Sequence, residues 1–181
     1  PYTTLFRSQV LLLDSPIIPH LIQKLESDNS GLTFVRVDSD HIDNLIKKEE
    51  TAISKLSTEE QESLKTVVET IVPKQTYTVQ LEALDSSAAP FIITQPEFMR
   101  RMKEMSQTGG GGMFGMGNFP EMYNLVVNTN SDLATSILNN EDKTVQENLV
   151  KQALDLAKLS QNLLKGEALT AFVKRSFEMI K

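Results

Sequence analysis

Apolar side chains recur along this chain at two periods, and the switches between them mark out the elements. Residues 10–14 form a short continuous apolar run closed by Asp14. Ser15-Pro16 then offers an N-cap and a first-turn proline. Ile17, Ile18, Leu21, Ile22 and Leu25 follow at helical spacing. Asp28-Asn29-Ser30-Gly31 is turn chemistry, and residues 32–38 read as a second, β-branched strand. Together they predict a parallel strand pair joined by a right-handed helical crossover. Ser39 is placed to cap a further helix carrying Ile42, Leu45 and Ile46 on one face, and the polar stretch around 49–57 reads as a connector.

Beyond it the pattern sharpens. Ser57 and Glu60 are spaced as a capping box, and Leu64, Val67, Val68, Ile71 and Val72 form one helical stripe stopped by Pro73. Tyr77, Val79, Leu81 and Ala83 alternate with Thr78, Gln80 and Glu82, as in a strand with one wet face. Asp85-Ser86-Ser87-Ala88 is a turn, which makes residues 90–94 the expected hairpin partner of that strand. Tyr123, Leu125 and Val127 alternate in the same way and predict a third strand. Leu133, Ile137 and Leu138 fall on a short helix opened by Asn130 or Ser131.

The final stretch is the most helical. Between Val145 and Leu164 polar residues line one side, and Leu149, Val150, Ala153, Leu154, Leu156, Ala157, Leu163 and Leu164 fill the other. That apolar sector is too wide for an ordinary surface helix. Gly166 is the expected helix stop, followed by a last helix with Leu169, Phe172, Val173, Phe177 and Ile180 aligned. The pattern predicts an α+β chain. Residues 9–56 make an α/β element, and residues 57–181 a domain with a three-stranded sheet and a terminal helical hairpin.

Composition narrows the function classes. Of 181 residues, 40% are hydrophobic and 23% charged, with formal net charge -6. The acidic balance argues against nucleic acid as a partner. No apolar run approaches the roughly 20 residues of a membrane span, so a membrane is not an expected partner either. Cysteine is absent, which removes disulfides and thiolate metal sites, and the two histidines, His20 and His41, exclude a histidine-rich metal site. Asp38, Asp40 and Asp43 around His41 read as a solvated helix start. No metal ligand set and no catalytic constellation is predicted.

The opening octapeptide stands apart. Residues 1–8 are the forward translation of CCC TAC ACG ACG CTC TTC CGA TCT, which resembles a sequencing-adapter oligonucleotide. They are expected to be foreign to the natural protein, whose own sequence would extend further upstream, and to carry no information about its fold.

Three motifs invite function. The run ending in Asp14 has the form of a Walker B strand, but no phosphate loop accompanies it. A buried strand ending in a turn explains it better. Gly109, Gly110, Gly111 and Gly112, with Gly115 and Gly117, lack the lysine and hydroxyl ending of a phosphate cradle and read as a flexible linker. The methionines are the sharper signal: six of the seven fall between residues 99 and 122. Thr94, Pro96 and Glu97 can open a helix there, with Phe98, Met99, Met102 and Met105 on one face. Met113, Phe114 and Met116 follow in the glycine loop. Methionine suits both a core and an adaptable binding surface, and the residues alone leave both open.

Residues 77–181 resemble the C-terminal domain of the ninety-kilodalton heat-shock protein family, in its bacterial branch. The resemblance is carried by Ala89-Pro90-Phe91-Ile92-Ile93-Thr94-Gln95, Glu97-Phe98-Met99-Arg100-Arg101-Met102-Lys103, Tyr123-Asn124-Leu125-Val126-Val127-Asn128 and Leu164-Lys165-Gly166-Glu167-Ala168-Leu169. Residues 9–50 resemble the end of the family's middle domain. The resemblance implies a C-terminal fragment of a cytoplasmic, ATP-dependent, stress-response chaperone. Its partners would be a second copy and unfolded client proteins. ATP, magnesium and hydrolysis would belong to upstream domains, leaving no cofactor and no enzymatic activity here. The terminal helices would form an intermolecular four-helix bundle through Leu149, Ala153, Leu156, Leu163, Leu169, Phe172, Val173, Phe177 and Ile180. Clients would meet Phe98, Met99, Met102, Met105, Met113, Phe114 and Met116, which favours binding over core. The chain ends without the family's eukaryotic acidic tail, so tetratricopeptide co-chaperones are not expected. The rival readings are a stand-alone dimeric scaffold and a nucleotide enzyme built on residues 10–14.

Overall fold

The computed structural model describes residues 11–13, 15, 17–34, 52–96, 99 and 122–180. They fall in two compact units: residues 52–94 with 122–180, and residues within 11–34 with Gln95, Pro96 and Met99. The described elements are five helices and a three-stranded mixed sheet, so the chain is α+β.

In the smaller unit, α1 spans Ile18–Asp28. It starts later than Ser15-Pro16 suggests. Ile17 is the N-cap and offers no side-chain bond, while Ser15 contributes its carbonyl, accepting from the Ile18 N–H at 3.1 Å. Pro19 occupies the first turn, where a missing N–H costs nothing. Asn29 closes the helix, its side-chain amide donating to the Leu25 carbonyl at 2.9 Å. Residues 11–13 and 32–34 join no strand among the described residues. The rest of the expected second strand, and the helix with Ile42, Leu45 and Ile46, lie outside them.

The larger unit holds α2 (Thr58–Ile71), β1 (Tyr77–Glu82), β2 (Phe91–Thr94), β3 (Tyr123–Asn128), α3 (Asp132–Asn139), α4 (Lys143–Ser160) and α5 (Gly166–Ile180). The capping box forms as expected. The Ser57 hydroxyl accepts from the Glu60 N–H at 3.2 Å, and the Glu60 carboxylate accepts from the Ser57 N–H at 2.8 Å. This start aims Leu64 and Val68 into the core, where both are fully buried.

The sheet order is β1–β3–β2, with β3 parallel to β1 and antiparallel to β2. The hairpin expected between β1 and residues 90–94 is therefore not made, because β3 lies between them. The reason lies in β3 itself. Its alternation suggested one wet face, yet Val126 is as buried as Leu125 and Val127. A strand apolar on both faces belongs at the centre of a sheet. The core face carries Tyr77, Val79, Phe91, Ile93, Tyr123, Leu125 and Val127, covered by apolar residues of α2, α3 and α4. Tyr77 and Tyr123, paired across β1 and β3, stack with ring centroids 5.9 Å apart.

The end of β3 runs into a buried polar turn, Asn128-Thr129-Asn130-Ser131. The Asn128 side chain accepts from the Leu84 N–H and donates to the Asp85 carbonyl. Asn130 accepts from the Lys55 N–H at 2.7 Å and donates to the Ile53 and Leu84 carbonyls. Ser131 caps α3, its hydroxyl accepting from the Ala134 N–H. The turn thus ties the segment entering α2 to the end of the sheet.

Candidate functional site on the terminal helices

Asp142 opens α4, its carboxylate accepting from the Thr144 N–H at 2.8 Å. One face of the helix, Val150, Ala153, Leu154 and Ala157, is buried in the core. The helix ends earlier than Gly166 would have it, in a left-handed residue: Asn162, with φ 56°. The Leu163 N–H donates to the Lys158 carbonyl at 2.8 Å and the Asn162 N–H to the Leu159 carbonyl at 3.1 Å. These are the two bonds of a Schellman stop, in which asparagine can replace glycine. Gly166 instead begins α5 with φ +60°, and Glu167 stands in its first turn, where a negative charge suits the helix dipole.

A second apolar surface stays open. On α4, Leu156 is 51% exposed and Leu159 is also exposed; on α5, Phe177 is 65% and Ile180 80% exposed, with Val173 beside them. Leu169, Val173, Phe177 and Ile180 recur at three- and four-residue intervals, which places them on one side of α5. Leu149, Leu163 and Leu169 are half-buried. Among the nine residues named for pairing, Ala153 and Phe172 are buried within the chain. Leu159 of α4 is also exposed and was missed, since sequence periodicity does not tell which apolar side of a two-sided helix the core takes.

Polar contacts hold α5 against α4. Arg175 Nη2 lies 2.6 Å from Asp155 Oδ2, and its Nε donates to Gln152 Oε1 at 2.9 Å. Gln152 donates in turn to the Ser176 hydroxyl at 2.8 Å. Lys158 approaches the other oxygen of Asp155 at 3.1 Å and lies over the Tyr77 ring. Phe172 is the one buried side chain of α5, and the Arg175 guanidinium sits 6.0 Å from its ring centroid.

Met99 is helical and half-buried, whereas Phe98, Met102, Met105, Met113, Phe114 and Met116 lie outside the described residues. His20 is exposed on α1, and His41 lies outside the described residues. Leu11, Leu12 and Leu13 are exposed rather than set in a buried strand. No group of three or more histidines and carboxylates among the described residues could hold a metal. Asp14, the acid of the Walker B-like run, lies outside the described residues. No described helix is long and apolar enough to cross a membrane. What the terminal helices offer is contact area: an apolar surface on a polar-clasped helix pair.

No protein-family model matches the chain. A curated relative, chaperone protein HtpG of Porphyromonas gingivalis, is 40% identical over 153 residues, covering 83% of this chain and 22% of the relative. HtpG of Bacteroides thetaiotaomicron is 32% identical over 238 residues, covering 94% of this chain and 35% of the relative. The chain is a homologue of bacterial HtpG. A Bacteroides fragilis HtpG matches similarly, at 31% identity and the same coverage. The chain thus spans 22% to 35% of the length of these HtpG relatives. The Bacteroides alignments are longer than the 181 residues of this chain, so those HtpG proteins carry residues with no counterpart here.

Proposed function

We propose that this chain is a C-terminal portion of an HtpG-type chaperone, in which residues 9–56 end a middle domain and residues 57–181 pair two copies. The open apolar surface of α4 and α5 carries the reading. Exposed large apolar side chains in a regular stripe stabilise little in a lone chain and much when a like surface covers them. Two copies laid hairpin to hairpin would make a four-helix bundle, with Leu156, Val173, Phe177 and Ile180 at its seam and Leu149, Leu163 and Leu169 beside it. The methionine segment, through Phe98, Met99, Met102, Met105, Met113, Phe114 and Met116, would hold partly unfolded clients in the cytoplasm. ATP and magnesium would act in the parts of an HtpG protein that this chain does not span. The contribution of this chain is mechanical: it keeps two arms together so that closure driven elsewhere acts on a client between them.

The absence of cysteine gives a clean test. Single cysteines at Leu156, Val173 and Phe177 should each join two copies through a short bismaleimide linker, while one at exposed Thr66 on α2 should not. Equal linking at Thr66, or none at the three positions, contradicts the pairing. Serine in place of Phe98, Met102 and Met105 should weaken suppression of client aggregation and leave the linking intact. Unchanged suppression contradicts the client role.

A further inference from the structure

We infer that Arg175 is a positioning residue for self-association: without lying in the apolar stripe, it sets the rotation at which α5 presents that stripe to a second copy. This rests on the pairing proposed above. α5 has a single buried side chain, Phe172, and its main packing is on α4. One apolar anchor leaves a helix free to roll about its own axis. Arg175 removes that freedom by gripping two residues of α4, Gln152 and Asp155, one turn apart. Ser176 adds a third contact through Gln152. The Arg175 and Asp155 side chains are only 19% and 14% exposed, so solvent screens this pair less than a surface pair. Guanidinium geometry matters as well, because its planar fork reaches both acceptors at once, and a lysine ammonium could not hold both in the same arrangement. Val173 and Phe177 flank Arg175 by two residues on either side, so a rolled α5 turns both away from a partner.

The test is the dissociation constant of the full chain by sedimentation over a concentration series, with helix content followed by circular dichroism. Arg175→Met should weaken pairing about tenfold with helicity retained. Exchanging the charges, Arg175→Asp with Asp155→Arg, should recover part of that loss, which a general loss of stability would not allow. Phe177→Asp is the control for the pairing itself. If Phe177→Asp dissociates the copies while Arg175→Met does not, the positioning role is overturned and the pairing stands. If Phe177→Asp changes nothing, the pairing falls and this inference with it. Should Arg175→Met lose helix content, Arg175→Lys decides: weakened pairing supports the role, and native affinity overturns it.

Discussion

Asn130 shows how much a single buried side chain can organise. Its amide oxygen accepts from Lys55, its amide nitrogen donates to the Ile53 and Leu84 carbonyls, and its backbone N–H donates to Asn128. Alanine there would leave the buried Leu84 carbonyl short of a partner and release the segment before α2. Unmet buried groups of this kind cost about 1–3 kcal/mol each. Asn130→Ala should therefore lower unfolding free energy by about 2–3 kcal/mol in urea, with faster hydrogen exchange at Lys55. A loss below about 0.5 kcal/mol, the range of ordinary surface changes, would contradict the latch. The sequence marked Asn130 only as a possible helix cap. Its partners, Ile53 and Lys55, lie far off in the chain, and no local pattern names them. Asn162 was overlooked for a related reason: glycine is the commoner left-handed stop, and Gly166 stood close by.

At the level of elements, the strength of local rules decides what was legible. The capping box before α2, the three strand segments of the larger unit and the two terminal helices follow from spacing alone, because each rests on groups a few residues apart; the strands expected at residues 10–14 and 32–38 do not form at 11–13 or 32–34. The order of the sheet did not follow. Asp85 and Ser87 form the expected turn, the serine N–H and hydroxyl both donating to the Asp85 carboxylate. Yet that turn does not bring β2 onto β1, since the doubly apolar β3 buries more by lying between them. The register sets Val126 of β3 opposite Gln80 of β1 and Ile92 of β2. A central β3 makes an asymmetric prediction. Val126→Lys should cost about 3 kcal/mol or more, a charge forced into a buried site. Gln80→Lys, on the neighbouring strand and exposed, should change stability by about 0.5 kcal/mol or less. Thermal unfolding of the two variants checks this, and equal losses would contradict the assigned centre.

Across the whole molecule, the two-sided character of α4 links fold to function. Its width was visible in the sequence, and the structure divides that width. Val150, Ala153, Leu154 and Ala157 serve the core, and Leu156 and Leu159 remain outside with Val173, Phe177 and Ile180 of α5. Periodicity finds apolar faces but not what lies against them, which is why Ala153 and Phe172 were grouped with residues that the chain leaves open. In the proposed function that surface pairs two copies of an HtpG-type chaperone, and the methionine segment, largely outside the described residues, is the proposed client contact. The open surface as a pairing seam is the central claim. Its most direct test is the molar mass of the full chain in solution, measured by light scattering after size exclusion over a concentration series. Twice the chain mass at high concentration, falling to the chain mass in Leu156→Asp and Phe177→Asp, is the predicted result; a single-chain mass at every concentration would contradict the account.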